Sequence, residues 1–386
     1  MKLLEYQAKA IFDKCGLTTM PGCVIDNIDD APGIIEAAGL NYPVVVKAQV
    51  QIGGRGKAGG IRFANDPDEA FEHCRALLGS EIRGLRVDRL LIVEKAYYTT
   101  EWYLSIMLDR LTKRPMIMFS ANGGMEIEQT ARDNPASVKK IIINPMTGVN
   151  DYMARYLLSD SGLDLGYTKA LYGVIKGLYD AFNRYDAMLV EINPLVARED
   201  MSLIALDGKV DIDDSALYRL PEVASWRDEM PEDDLVRQAR SFDFLYIPIE
   251  KGGTIAVCSN GSGMLMSCID MISKEGMRVA AALDLGGGAT KERIREAMRI
   301  LFSTPGVKAV LINIFGGITR CDEVAGGVKL AMDERDLEGK IIVIRMEGTN
   351  KDAGIAIIEG LNSDQVLPAD GLRESIAHLT QRRDML

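Results

Sequence analysis

RVAAALDLGGGATKERIREAMRILFSTPGVKAVLINIFGG, residues 278–317, decides the architecture of the second half of the chain. An apolar run ends in glycines, an amphipathic stretch of helical period follows, and a second apolar run again ends in glycines. That alternation is the signature of a parallel strand, a crossover helix and the next parallel strand. The pattern extends both ways. TIAVCSN (254–260), KIIVIRM (340–346) and QVLP (365–368) read as further strands, with helices running to Lys274 and over 290–302, 321–336, 350–361 and 371–384. Near-continuous branched runs alternating with helices predict a doubly wound α/β domain.

In such a sheet, ligands lie beyond the carboxyl ends of the strands. Those ends read SNGSG (259–263), LGGGAT (285–290), FGGITRCD (315–322) and EGTN (347–350). Glycines admit a ligand close to the backbone, and each turn precedes a helix whose first amides are unpaired and partly positive. Four such turns on one edge predict an anion pocket. None is a G-x-G-x-x-G fingerprint followed by a ribose-binding acid, which argues against a nicotinamide enzyme.

The first half has a different style. RLLIVEKA (89–96), EWYLSIMLDR (101–110), PMIMFSAN (115–122), AMLVEINPLVA (187–197) and SLIALDGKVDI (202–212) are strand-like runs that follow one another across short polar turns. Helical stretches at 4–14, 66–78 and 167–184 flank them, so this part reads as antiparallel α+β. A length of 386 residues suits two or three domains at roughly 100 to 200 residues each. The proline-bearing acidic stretch YRLPEVASWRDEMPEDDLVRQ predicts the boundary near Asp234, giving domains 1–234 and 235–386.

Composition narrows the function. The net charge of −11 opposes a sequence-independent grip on nucleic acid. No apolar run reaches the roughly 18 residues of a membrane helix, and the opening MKLLEYQAKAIFDKCG is unlike a signal peptide. The expected compartment is the cytoplasm, or the mitochondrial matrix if a transit peptide has been removed. Six scattered cysteines without a C-x-x-C pair predict reduced, mostly buried thiols rather than zinc or disulfides. His73 and His378 are the only histidines, both on helix-like stretches without catalytic context. A reaction that needs imidazole would therefore borrow it from another chain.

Three features of the first half carry chemistry. Lys47 lies inside the apolar strand PVVVKAQV (43–50), where an ammonium without a partner costs several kcal/mol, so something anionic should face it. The loop QIGGRGKAGGIRF (51–63) follows, with Arg55 and Lys57 among five glycines. It suits a flap closing over phosphates, although it is not a Walker loop. VEINPL (190–195) and ALDGK (205–209) bring Glu191 and Asn193 to one face of a strand and Asp207 to the adjoining strand of a hairpin, close to cross-strand register. Such oxygens suit Mg²⁺, which takes one or two carboxylates and fills its remaining positions with phosphates and water. Together these features predict an ATP-dependent phosphoryl-transfer site. Glu94 and Glu101 read on their own as strand-end charges.

The segments LLEYQAKAIFDKCG, GGRGKAGGI, VEINPL, LDGK, SNGSGM, LDLGGGATKERI and LINIFGGITRCD resemble, over nearly the whole chain, the beta subunits of succinyl-CoA synthetases (succinate:CoA ligases). The resemblance implies an ATP-grasp domain followed by a flavodoxin-like CoA-ligase domain. It also implies an alpha subunit that carries a phosphohistidine and most of the CoA site. By this resemblance Lys47, Gly54, Arg55 and Gly56 contact nucleotide phosphates, while Glu94, the backbone at Tyr97, and Glu101 contact the rest of the nucleotide. Asn193 and Asp207 hold Mg²⁺, and Glu191 steadies the partner's phosphohistidine. Asn260, Gly317, Ile318 and Thr319 hold the carboxylate substrate. Three positions depart from the family pattern: Gln51 replaces a histidine, Met20 stands where the purine is selected, and Thr319 replaces an apolar residue. Met20 leaves ATP and GTP both open. Thr319 raises malate as an alternative to succinate.

Overall fold

The computed structural model describes residues 1–52, 55–124, 127–229, 232–334 and 339–386. The chain forms two compact units, Met1–Glu229 and Met230–Leu386. The stretch read as a linker is helical on both sides of the division, over Pro221–Asp228 and Asp234–Arg240.

Among the described residues, the first unit holds two antiparallel sheets of more than two strands. In one, the order is Gly22–Ile25, Leu90–Glu94, Val44–Ala48, Ile61–Ala64. Strand alternation sorts its side chains. Val44, Val46 and Ala48 pack on the side that carries the helices Ala31–Ala38 and Pro67–Leu77. Val45, Leu91 and Val93 join Met20, Val196 and Ile204 in a separate cluster. Lys47 is two residues from Val45 and so shares this second face. The ammonium is thereby aimed away from the helices and toward the N-terminal helix Glu5–Lys14 and the chain at Leu206.

The other sheet runs Leu203–Ala205, Ala187–Ala197, Thr100–Asp109, Arg114–Ser120, Lys139–Ile142, with Gly208–Ile212 also paired to Ala187–Ala197. The run read as a single strand over 202–212 is thus two short strands. Asp207 lies in the break between them rather than on a strand. Ala187–Ala197 stays in register through the break, with Ile192 opposite Gly208 and Leu195 opposite Ala205, and Asn193 N donates to Asp207 O there at 3.2 Å. On its other side the same strand shifts register against Thr100–Asp109 between Ile192 and Leu195. A bulge of this kind bends the ladder and re-aims the side chains at it.

In the second unit, strands Ile255–Ser259, Val279–Asp284, Ala309–Phe315, Ile341–Glu347 and Val366–Pro368 are parallel. Alternate strand residues supply cores on both faces. Ala256, Cys258, Leu283, Val310 and Ile312 pack on one side, and Ile255, Val257, Ala282, Leu311 and Val343 on the other. This is the predicted doubly wound sheet. One strand escaped the sequence reading: Leu245–Pro248 adds antiparallel to the edge of Val279–Asp284. It is short and proline-terminated, as edge strands often are.

No helix among the described residues is long and apolar enough to cross a membrane. All six cysteines are free thiols. Helices Lys291–Ser303 and Cys321–Glu334 approach closely at Gly327, where an added Cβ would lie 2.6 Å from Lys291 O and 2.4 Å from Ile294 Cβ. Gly327→Ala should therefore destabilise the second unit by about 1 to 3 kcal/mol through overpacking. Denaturant unfolding followed by circular dichroism would check this, and an unchanged midpoint would contradict the close packing.

Candidate nucleotide and substrate sites

Lys47 has the anionic partner its burial demands. Its Nζ donates to Glu5 Oε1 at 2.6 Å and to Leu206 O at 3.1 Å, with both side chains buried. Glu5 opens the first turn of its helix, and that turn is fixed to the sheet by Gln49, whose Oε1 accepts from Tyr6 N at 3.1 Å. The second oxygen of Glu5 faces Arg55 Nη2 at 2.8 Å. Arg55 Nη2 also reaches Asp207, at 3.0 Å to Oδ2 and 3.3 Å to Oδ1, while its Nη1 donates to Ala48 O at 3.1 Å.

Two cations and two carboxylates therefore form one connected, formally neutral cluster. Burial opposes ionisation of Glu5, but Lys47 and Arg55 outweigh it and hold its carboxyl below the ordinary carboxylate range. Asp207 goes the other way. Burial and the nearby Glu5 carboxylate push it up to about 6, against the pull of Arg55 and Lys47. Beside this cluster an open hollow is lined by Glu5, Met20, Leu91, Val93, Leu206 and Asp207, so an apolar wall adjoins the charged end.

The two residues expected to hold metal are backbone neighbours here. Asp207 offers a carboxylate, and Asn193 is tied to it through the backbone hydrogen bond across the strand break. Asn193 Oδ1 accepts from Gly124 N at 2.8 Å. The donor set is made of hard oxygens, and a cation, the Arg55 guanidinium, already stands on Asp207. Both observations fit a Mg²⁺ position completed by phosphate oxygens. Glu191 lies two residues before Asn193, and both are half-buried, on either side of buried Ile192. Tyr103 OH donates to Glu191 Oε2 at 3.1 Å.

Other expected residues stand apart from the cluster. Glu94 Oε1 accepts from Asn41 N and Asn41 Nδ2, both at 2.9 Å. Tyr97 is exposed, with Lys95 Nζ 5.5 Å from its ring centroid. Glu101 takes the hydroxyl of Tyr98 at 2.6 Å, and this bond leads the causes that raise the Tyr98 phenol to about 12. Glu101 also closes on Gly124, where a Cβ would lie 2.2 Å from Glu101 Oε2. Gly124 thus joins Glu101 to Asn193. Gly54 lies outside the described residues, and Gly56 begins the single turn Gly56–Ala58.

In the second unit the four glycine turns are laced together at the carboxyl ends of the strands. Asn260 Nδ2 donates to Phe315 O at 2.8 Å and Asn260 Oδ1 accepts from Phe315 N at 3.0 Å, so its amide clamps two strand ends. Thr349 Oγ1 donates to Gly317 O at 3.2 Å, and Cys321 N donates to Thr349 O at 2.9 Å. Ile318 is 85% exposed. Thr319 is buried, and its hydroxyl accepts from Gly288 N at 3.2 Å. The structure therefore turns the Thr319 hydroxyl inward as a brace between two turns. His73 Nε2 bonds Phe63 O at 3.0 Å, consistent with a helix-face histidine.

Sequence reasoning missed Glu5, Tyr103 and Gly124. Glu5 had a signal, since Lys47 required an anion, but nothing local linked two positions 42 residues apart. Replacing Glu5 by Ala would leave Lys47 and Arg55 buried without their shared anion, at a cost of about 3 to 5 kcal/mol at neutral pH. A carboxylate held low when folded contributes stability above its unfolded value of 4.5, and that contribution fades as pH falls through its folded value. Unfolding curves of the parent and Glu5→Ala proteins should therefore separate at pH 7 and converge in acid.

Comparison with known proteins matches residues 2–197 to the ATP-grasp domain family and residues 258–366 to the CoA-ligase family. The succinate–CoA ligase (ADP-forming) subunit beta of Chloroflexus aurantiacus is 44% identical over 97% of this chain and 97% of its own. The GDP-forming counterpart from Thermus thermophilus is 40% identical over 93% and 94%. Among solved structures, ATP citrate lyase from Methanothrix soehngenii, in complex with citrate and coenzyme A, superposes with a TM-score of 0.77 at 19% identity. It covers 99% of both chains and so shares the fold.

Proposed function

The chain belongs to the succinate–CoA ligase beta-subunit family, and on that footing we propose that its first unit transfers the terminal phosphoryl group of Mg·ATP to a histidine of an alpha subunit. The overall reaction converts succinate, CoA and ATP to succinyl-CoA, ADP and phosphate, and is reversible. The observation that carries this reading is the meeting of Lys47, Arg55 and Asp207 in one cluster, with Asn193 tied across the strand break, beside an open hollow.

Lys47 and Arg55 grip the phosphates, and Glu94 with the backbone at Tyr97 meets the rest of the nucleotide. The family includes ADP-forming and GDP-forming members. Asn193 and Asp207 would hold Mg²⁺, whose contribution when bound is to offset the charge that builds on the phosphate oxygens. Glu191, oriented by Tyr103, accepts the N–H of the incoming imidazole. This fixes the tautomer whose other nitrogen attacks phosphorus as the bond to the bridging oxygen breaks. Succinate then takes the phosphoryl group, and CoA thiolate displaces phosphate from the acyl phosphate.

In the second unit, Asn260 and the Gly317, Ile318, Thr319 turn offer backbone amides to the substrate carboxylate. Thr319 is buried with its hydroxyl turned to Gly288 N, away from solvent, which favours succinate over malate. Co-purification with the cognate alpha subunit and assay of CoA-dependent nucleotide turnover on succinate, malate and citrate tests the assignment. Turnover on malate without succinate would reverse it. Asp207→Asn and Glu191→Gln should each lower phosphate labelling of the alpha histidine by about 100-fold or more, with unchanged circular dichroism. Full labelling in either variant would remove that residue from the mechanism.

A further inference from the structure

Arg55 and Asp207 were each assigned to the nucleotide, one to phosphate and one to metal, yet in this structure they hold each other. We propose that Arg55 guards Asp207: its guanidinium occupies the carboxylate until phosphates draw it away, so a divalent cation is taken up with the nucleotide and not before it. The proposal rests on the reading of Asp207 as a metal position.

The geometry makes the exchange one-sided. Arg55 Nη2 lies between two carboxylates, 2.8 Å from Glu5 and 3.0 Å from Asp207. The Glu5 side chain is 5% exposed and shares its other oxygen with Lys47, whereas the Asp207 side chain is 34% exposed and borders the open hollow. A pair is broken most cheaply where water can solvate the freed groups, and that is the Asp207 side. Glu5 then keeps Arg55 near the site when Asp207 lets go. The backbone helps, because Arg55 O accepts from both Ala58 N at 3.1 Å and Gly60 N at 2.9 Å. Arg55 is on this view a positioning residue with two settings, paired to Asp207 before nucleotide arrives and turned to phosphate afterwards. Each cation keeps a counter-ion throughout. Without nucleotide, Glu5 and Asp207 balance Lys47 and Arg55. With it, the triphosphate replaces Asp207 as the counter-ion of Arg55, and Asp207 is free for the metal.

The test measures Mn²⁺ binding to the alpha–beta complex by electron paramagnetic resonance of the free ion, with and without ATP. Without nucleotide, Arg55→Gln should tighten Mn²⁺ binding about tenfold, the scale of one charge-assisted hydrogen bond. The gain should vanish in the Arg55→Gln/Asp207→Asn double variant, which separates this site from other acidic surface. With ATP present the sign should reverse, since Arg55→Gln then lacks a phosphate contact. A merely structural role for Arg55 would not give opposite signs. If Arg55→Gln does not fold, Arg55→Met, which keeps the aliphatic bulk, is read instead. Mn²⁺ binding no tighter in the variant, or a gain that survives Asp207→Asn, would overturn the proposal while leaving the nucleotide site intact. Unchanged Mn·ATP binding in Asp207→Asn alone would bring down the site reading and this inference with it.

Discussion

A buried ammonium and a buried guanidinium can share one small volume only if an anion lies between them, and Glu5 supplies it with one oxygen for each. The pairing fixes more than charge. It brings the first turn of the N-terminal helix, the strand Val44–Ala48 and the glycine-rich loop at Arg55 to one point. Asp207, set in a strand break on the other sheet, completes the group. Buried ion clusters of this kind give little net stability against a hydrophobic alternative. The presence of one here agrees with a binding task, because every member except Glu5 is a proposed ligand contact.

Much of this arrangement was legible in the sequence. Lys47 within an apolar strand demanded an anion, and the strand period fixed the face on which it would be met. VEINPL and ALDGK announced neighbouring oxygen donors. The partner of Lys47 was not legible, because an acid in the first turn of a helix already has a local reason to be there. The break at Leu206–Asp207 was hidden as well. SLIALDGKVDI alternates well enough to pass for one strand, and nothing in that alternation marks the interruption at Leu206–Asp207.

The second unit was easier to read in outline and harder in detail. Branched runs separated by helical periods have few other solutions than a parallel sheet. The edge strand Leu245–Pro248 escaped because only Tyr246 of its four residues is buried, so it lacks a run long enough to show a period. The direction of the Thr319 hydroxyl was not legible for another reason. A hydroxyl in a glycine turn suggests ligand contact, and whether it points outward depends on a turn 31 residues away, at Gly288.

The anion sites proposed for the two units rest on different physics. The first uses full charges, Lys47 and Arg55, held in check by carboxylates. Such a site can exchange partners, because each cation can trade one anion for another and is never left without a counter-ion. The second uses strand-end turns whose backbone is braced by Asn260, Thr319 and Thr349, none of them charged. Neutral dipoles fixed in advance need no counter-ion to be displaced and suit a small carboxylate that binds and leaves without a metal. A triphosphate carries too much charge for amides alone, and a dicarboxylate too little to need a buried ion cluster. The division of the chain into an ATP-grasp unit and a CoA-ligase unit thus follows the charge of the ligands proposed for each.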